Sequence, residues 1–314
     1  MEWITDRLES AGIRQVGPPG EPRVRPWTTV IRIPTDHGDV WFKVASQATA
    51  HEIAIYPLLA HYSASLVLQP IAVDAGRSWI LLPDGGNALR DVAKGDDLVD
   101  HWIGIVAGYA QLQRSLMSEP ARLLDLGVPD MRPEVMLHRF DEGVEVAHRI
   151  IEQHGTTEDR ETLRNIEAAR SRYSEWCDEL VGSPVSASLD HSDLHGGNVL
   201  MRNGSPRLSD WGDSVVAAPF SSLLVLLRSL QDSLDCSPDD PRLLRVRDAY
   251  LGVFSDVDSH DRLVHTMEIS CRVSKVIRAL TWARVLSLDP DANPDWATYP
   301  FIWMSSVLEP HYLD

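Results

Sequence analysis

The sequence predicts an α+β protein in which a small β-rich lobe is followed by a large helical one. Three observations carry this expectation. Alternating β-branched and aromatic runs fill much of the first ninety residues, and runs of helical period fill most of the remainder. One polar island at residues 185–213 interrupts the helical series with strand-like flanks. A chain of 314 residues is long enough for two lobes, each with its own core. The expected division is residues 1–90 and 91–314.

The elements follow in chain order. "TTVIRIPTDHGDVWFKVA" holds two β-rich runs around the turn "TDHGD", an antiparallel hairpin signal. In its second run Val40, Phe42 and Val44 alternate with Trp41 and Lys43, so Lys43 points away from the Phe42 face. "ATAHEIAIYPLLAHY" has helical spacing, with Glu52 in its first turns. "LVLQPIAVD" and "SWILLPDGG" predict two further strands, the second closing in a Pro-Asp-Gly-Gly turn. The small lobe therefore reads β-β-α-β-β. From about residue 96 the pattern turns helical: Trp102, Ile105, Tyr109, Leu112 and Leu116 form one apolar stripe. "PEVMLHRFDEGVEVAHRIIEQHG" and "EDRETLRNIEAARSRYSEWCDELV" predict one amphipathic helix each, bounded by Pro or Gly. "FSSLLVLLRSLQD", "PRLLRVRDAYLGVF" and "DRLVHTMEISCRVSKVIRALTWARVL" suit three more.

Composition narrows the function classes. With 44% hydrophobic and 24% charged residues the chain reads as globular rather than disordered. A net charge of −17 argues against a nucleic-acid partner, because phosphate backbones need clustered Lys and Arg. No apolar run has the length of a membrane span, and no membrane partner is expected. The N-terminal "MEWITDRLES" lacks a basic-then-apolar export pattern. Cys177, Cys236 and Cys271 form no CxxC pair and read as reduced thiols, so a cytoplasmic location is expected. The acidity is uneven: residues 1–95 carry 10 acidic and 9 basic side chains, and the rest carry 36 and 20. That imbalance suits either steering of a cationic small molecule or plain solubility. Lysine occurs only at positions 43, 94 and 275, against 26 arginines, which makes each lysine's surroundings informative.

The island "DHSDLHGGNVLMRNGSPRLSDWGD" concentrates the chemistry. Asp193 and Asn198 stand as D-x-x-x-x-N, and Asp210-Trp211-Gly212 begins twelve residues beyond the asparagine. Phosphoryl transfer needs a carboxylate to orient an attacking hydroxyl and oxygen ligands to hold Mg²⁺ on the phosphates. It also needs a strand lysine fixed by a helix glutamate, and Lys43 and Glu52 stand upstream in that order. Two alternatives remain. "SDLHGGN" contains the D-x-H-G of a metallophosphoesterase, although no later G-N-H-D/E cluster accompanies it. A catalytically inactive nucleotide-binding pseudokinase is the other, against which the presence of all four polar positions argues.

"HSDLHGGNVL" followed by "LSDWGD" resembles the signature of the aminoglycoside phosphotransferase family, also called the phosphotransferase enzyme family. Its kin include choline, homoserine, methylthioribose and fructosamine kinases. The resemblance implies a protein-kinase-like two-lobed fold and γ-phosphoryl transfer from ATP, or GTP, to a small-molecule hydroxyl. Carried over, it makes Asp193 the catalytic residue and Asn198 and Asp210 the Mg²⁺ ligands. Lys43, paired with Glu52, holds the ATP phosphates, and Pro83 and Asp84 lie at the adenine-binding hinge. His191 and His195 become supports of the catalytic loop. "RVRPWTTV" stands in place of a glycine-rich loop, which puts Thr28 or Thr29 at the phosphates. The expected acceptor is a cation such as an aminoglycoside, amino sugar or amine, with Asp213 and Glu268 as candidate contacts by position. Most of the ten tryptophans are expected in the core.

Overall fold

The computed structural model describes residues 2–288 and 293–314. A helix, α1 (Glu2–Ser10), precedes five strands: β1 (Arg23–Arg25), β2 (Thr28–Thr35), β3 (Gly38–Ala45), β4 (Ala72–Asp74) and β5 (Trp79–Pro83). They pair antiparallel in the order β1-β2-β3-β5-β4, and α2 (His51–Tyr62) lies between β3 and β4. The expected hairpin forms with Thr35 opposite Gly38 and Thr28 opposite Ala45. Its alternation decides what each face does. Val40 and Phe42 join Ile33 and Leu81 under Ile4 and Leu8 of α1, while Trp41 and Lys43 line a cleft on the opposite side.

Three expectations are revised here. The small lobe gains α1 and β1; α1 is short and charged, and its only sequence signal is the Ile4/Leu8 pair at i,i+4 spacing. In "LVLQPIAVD" only Ala72–Asp74 is a strand. Leu66, Val67 and Leu68 are buried instead as irregular chain, with Leu66 O accepting the Leu208 N–H. The single helix expected over "EDRETLRNIEAARSRYSEWCDELV" is two, broken at Ala169.

The helical part begins after β6 (Asn87–Ala88) and α3 (Leu89–Val92) with α4 (Gly95–Leu116). Trp102, Ile105, Tyr109, Leu112 and Leu116 are all buried along one face of α4, as the stripe predicts. Then come α5 (Pro120–Asp125), α6 (Met136–His154), α7 (Thr157–Ala168) and α8 (Arg170–Val181). The chain breaks at Ala169; α7 and α8 both pack on α6, and α8 also reaches the later long helix. A Thr156/Asp159 capping box starts α7. The polar island supplies β7 (Ser188–Asp190), β8 (Val199–Arg202), β9 (Ser205–Leu208) and β10 (Val215–Ala217). β7 pairs with β10, and β8 lies between β6 and β9, so the island is stitched to the end of the small lobe. Helices α9 (Leu223–Leu234), α10 (Pro241–Leu251), α11 (His260–Leu286) and α12 (Tyr299–Ser305) complete the fold. Among the described residues no helix is long and apolar enough to cross a membrane.

Candidate active site

The loop after β7 is held from behind by a buried polar network. Gln113 of α4 donates to the carbonyls of Leu189 and Pro219 at 3.0 Å each, and Ser188 donates to the Gln113 carbonyl at 2.7 Å. Asp190 accepts from Ser222 N and Oγ and from Ser192 N, at 2.7–2.8 Å. Burial pushes its carboxyl up to about 7 against those hydrogen bonds. The His191 backbone N–H donates to the Tyr109 hydroxyl, and its Nε2 lies 3.0 Å from Ser209 O. Its ring packs on Trp211, with centroids 4.6 Å apart. One histidine thus ties the loop to the strand that leads into Asp210. Ser192 and Asp210 both have left-handed backbones, with φ of 61° and 63°. Strain of that kind persists only where surrounding contacts over-determine it, as this network does.

On the small-lobe side, Lys43 Nζ lies 2.7 Å from Glu52 Oε1 and 2.7 Å from Asp210 Oδ1. Burial alone would lower the lysine's affinity for its proton, but the two carboxylates raise it above the ordinary value. Lys43 correspondingly holds Asp210 below the carboxylate range. Glu52 is pushed up by burial and partly pulled back by Lys43, and its Oε1 also accepts the Trp211 N–H at 3.2 Å. The Asp210 side chain remains 46% exposed to the cleft. That cleft has a volume of about 600 Å³, with Val30, Leu82 and Leu200 as apolar walls and Arg23, Arg32 and Lys43 as cations. Pro83 and Asp84 line it at the crossing between lobes. There Gly86 has φ +90° and would bring an added Cβ within 2.1 Å of Met201 O, so only glycine fits.

On the other side, Asp193 faces a cavity of about 340 Å³. Arg278 of α11, 6% exposed, reaches Asp193 Oδ1 at 3.1 Å, Asp213 Oδ2 at 2.8 Å and Ser192 O at 3.1 Å. Burial pushes Asp193 up, yet Arg278 and then His195, whose Nε2 lies 3.5 Å away, hold it well below the carboxylate range. Asp213 ends above its ordinary value because burial outweighs Arg278. Asn198 Nδ2 donates to Asp193 O at 2.9 Å and Oδ2 at 3.1 Å. His195 Nδ1 accepts the Gly197 N–H. The glycines of "HGGN" permit close approach rather than an unusual turn: a Cβ at Gly197 would meet His195 and Arg90 at under 3 Å.

Of the residues singled out in the sequence, Lys43, Glu52, Asp193, Asn198, Asp210 and Asp213 line these two connected cavities. Two others do not. Thr28 is buried in the sheet, its hydroxyl donating to Val44 O at 3.1 Å, and the cleft is covered instead by Gly20, Glu21 and Arg23. Glu268 is absent from the walls of both cavities. It lies ten residues, about 15 Å of helix, before Arg278. The nine-residue interval between Lys43 and Glu52 is sufficient, because a turn of 3-10 helix (Gln47–Thr49) leads directly into α2. The residues missed are Arg278, Thr281, Trp282, Trp27 and the supports Asp190, Gln113 and Ser222. Arg278 offers one signal: an arginine directly after the apolar pair Val276-Ile277 must find an anion if it is buried with them. Among the described residues no group of three or more His, Cys, Asp and Glu side chains has a metal-binding arrangement.

The fold sets two lobes against this pair of cavities, with a strand lysine paired to a helix glutamate on one side and Asp193 on the other. Solved structures agree at the level of the fold. A type I macrolide 2'-phosphotransferase superposes with a TM-score of 0.59 at 14% identity, covering 96% of this chain and 95% of that one. An ethanolamine kinase from Plasmodium vivax gives 0.67 at 12% identity, covering 98% and 86%. An amicoumacin kinase solved with AMP-PNP and Ca²⁺ gives 0.59 at 11% identity, covering 98% and 95%. The chain therefore has the two-lobed fold of the aminoglycoside and macrolide phosphotransferases and the choline and ethanolamine kinases. No protein-family model and no curated protein sequence matches it.

Proposed function

We propose that the protein is an ATP-dependent kinase that transfers a γ-phosphoryl group to a hydroxyl of a small molecule. The observation that carries this reading is the double contact of Lys43 with Glu52 and Asp210, set across the cleft from Asp193 and Asn198. In this reading residues 1–90 and 91–314 act as the two lobes. The nucleotide base lies against Val30, Leu82 and Leu200 beside Pro83 and Asp84, and the polyphosphate runs toward Lys43. GTP fits the same description, and the hinge side chains do not select between the two purines.

The donors present fit a hard divalent cation. Lys43 occupies only Asp210 Oδ1, and Asn198 uses its amide nitrogen on Asp193, which leaves an oxygen of each for Mg²⁺. Mg²⁺ held there would neutralise charge on the transferring phosphate. The rest of the mechanism belongs to the chain. Lys43 holds the donor, and Asp193 accepts a hydrogen bond from the acceptor hydroxyl and aims its oxygen at phosphorus. The O–Pγ bond forms as the bond to the ADP oxygen breaks, and the hydroxyl proton leaves through Asp193 to solvent. Because Arg278 keeps Asp193 ionised, the carboxylate is ready to accept the hydroxyl's hydrogen bond and, as the O–Pγ bond forms, its proton.

The test is ADP release from MgATP. Turnover is expected with hydroxyl acceptors and is expected to vanish when divalent cations are chelated. Nucleotide binding in the absence of any turnover, with or without acceptors, would favour a binding module instead.

A further inference from the structure

The two connected cavities differ in size. The donor cleft, in which a whole nucleoside triphosphate would lie, has a volume of about 600 Å³, and the cavity beyond Asp193 about 340 Å³. The smaller one stands near the lower end of the ~300–1,000 Å³ range of ligand sites. Charge does not select its occupant: four carboxylates on its wall share Lys43 and Arg278, so an amine and a neutral alcohol are both admitted. Its shape is more selective. On one side Asp193 and Asp213 are fixed by the Arg278 fork. On the other stand Trp27, from the turn between β1 and β2, and Trp282 of α11, both half-buried and both lining the cavity. The two indoles meet at 85° with centroids 6.2 Å apart. Trp296 completes the group, 5.3 Å from Trp27 and 6.2 Å from Trp282. Trp27 and Trp282 are also anchored elsewhere. The Trp27 carbonyl accepts the Thr49 hydroxyl at 2.7 Å and the Ser46 N–H at 3.0 Å. The Trp282 ring stands edge-on to Tyr299, with centroids 4.8 Å apart. An aromatic clasp thus joins the small lobe to the helical lobe beside Asp193, and enlarging the cavity on that side means parting three packed rings.

We propose that the acceptor is a compact alcohol of one ring or less, and that Trp27 and Trp282 determine this by bounding the space around the reacting hydroxyl. The inference rests on the kinase reading above and deepens it. With little more than half the room of the donor cleft, the cavity takes little more than half a nucleotide. A three-ring aminoglycoside or a macrolide is no smaller than ATP and does not fit behind the clasp. Of the cationic acceptors expected from the sequence, an amino sugar or small amine is kept and the aminoglycoside is removed. The acceptor oxygen gains the phosphoryl group of ATP, ADP leaves, and one proton passes to solvent, so the step needs no further reactant.

A size series with MgATP tests it: ethanolamine, choline, glucosamine and myo-inositol against kanamycin and erythromycin. ADP release and phosphorus NMR of the product are the readouts. The best compact acceptor is expected to exceed both larger ones in kcat/KM by at least about tenfold. Trp282→Ala opens the wall and is expected to move that ratio at least about tenfold toward the larger acceptors. Trp27→Ala, which opens the same wall from the small lobe, is expected to move it in the same direction, with circular dichroism confirming that each variant is folded. A larger acceptor preferred by the parent protein, or a ratio unmoved in the folded variants, overturns the inference. Slow ADP release into water that is lost in Asp193→Asn reports the kinase reading without any acceptor. If that release persists while no compact acceptor is phosphorylated, the size inference alone fails. If it is absent and no acceptor responds, both readings fall.

Discussion

Two carboxylate pairs face each other across the cleft, and each is closed by one cation of a different kind. Lys43 joins Glu52 to Asp210 from a β-strand; Arg278 joins Asp193 to Asp213 from a helix. The lysine pair is asymmetric: the Glu52 carboxylate is 1% exposed and that of Asp210 46%. A compact ammonium on a flexible stem can turn from the exposed partner to a phosphate oxygen while the buried one keeps it in place. The arginine pair is the reverse. Both its carboxylates are equally screened, the guanidinium is nearly buried, and the planar fork fixes their relative positions. In the proposed kinase reading, the donor side is built to be rearranged by its ligand, and the acceptor side is built to stay where it is.

The comparison is sharpened most by changing Asp193. Asp193→Asn keeps the shape but cannot take a proton, and kcat is expected to fall by ~10²–10⁴-fold, measured as ADP release with the best acceptor. A fall below tenfold would mean that orientation alone suffices. Arg278→Lys keeps a charge but loses the fork, and a kcat loss of roughly 10-fold is expected for a misplaced positioning group. The pH profile supplies the sign. Arg278 holds Asp193 below the ordinary carboxylate value, so weakening that contact moves the acid limb of kcat to higher pH. An unmoved limb would mean that His195 or another group sets the ionisation of Asp193.

The smallest effect on activity is expected behind both pairs, at Asp190. Its carboxyl, raised by burial to about 7, binds its proton more tightly in the folded protein than an ordinary aspartate does. Stability from this group is therefore present at acid pH and is lost as pH rises from about 4 to 7, with a slope of at most ~1.4 kcal/mol per pH unit. Asp190→Asn, shaped like the protonated acid, is expected to flatten that slope in denaturant titrations at pH 5 and 7.5. An unchanged slope would place the titration elsewhere.

The two sides also differ in how legible they were. The donor side announces itself in order along the chain: a strand lysine, a helix glutamate, then the D-x-x-x-x-N and D-x-G spacings. Strand alternation alone puts Lys43 on the cleft face, opposite Phe42. The acceptor side depends on α11, whose residues meet Asp193 only through tertiary packing. Periodicity records that Arg278 and Thr281 lie on a helix, and nothing local says what they face. The same limit explains Glu268, chosen on the right helix about three turns too early, and Thr28, whose hydroxyl completes a backbone contact inside the sheet. Net charge was equally silent about pairing: within the site four carboxylates share two cations, Lys43 and Arg278.

The most direct test of this division of labour is calorimetric. MgATP affinity is compared in Lys43→Met and Asp193→Asn, with circular dichroism confirming that both are folded. The account predicts at least a tenfold weaker affinity in Lys43→Met and an affinity within about twofold of the parent in Asp193→Asn. Equal losses in both, or loss in Asp193→Asn alone, would contradict it.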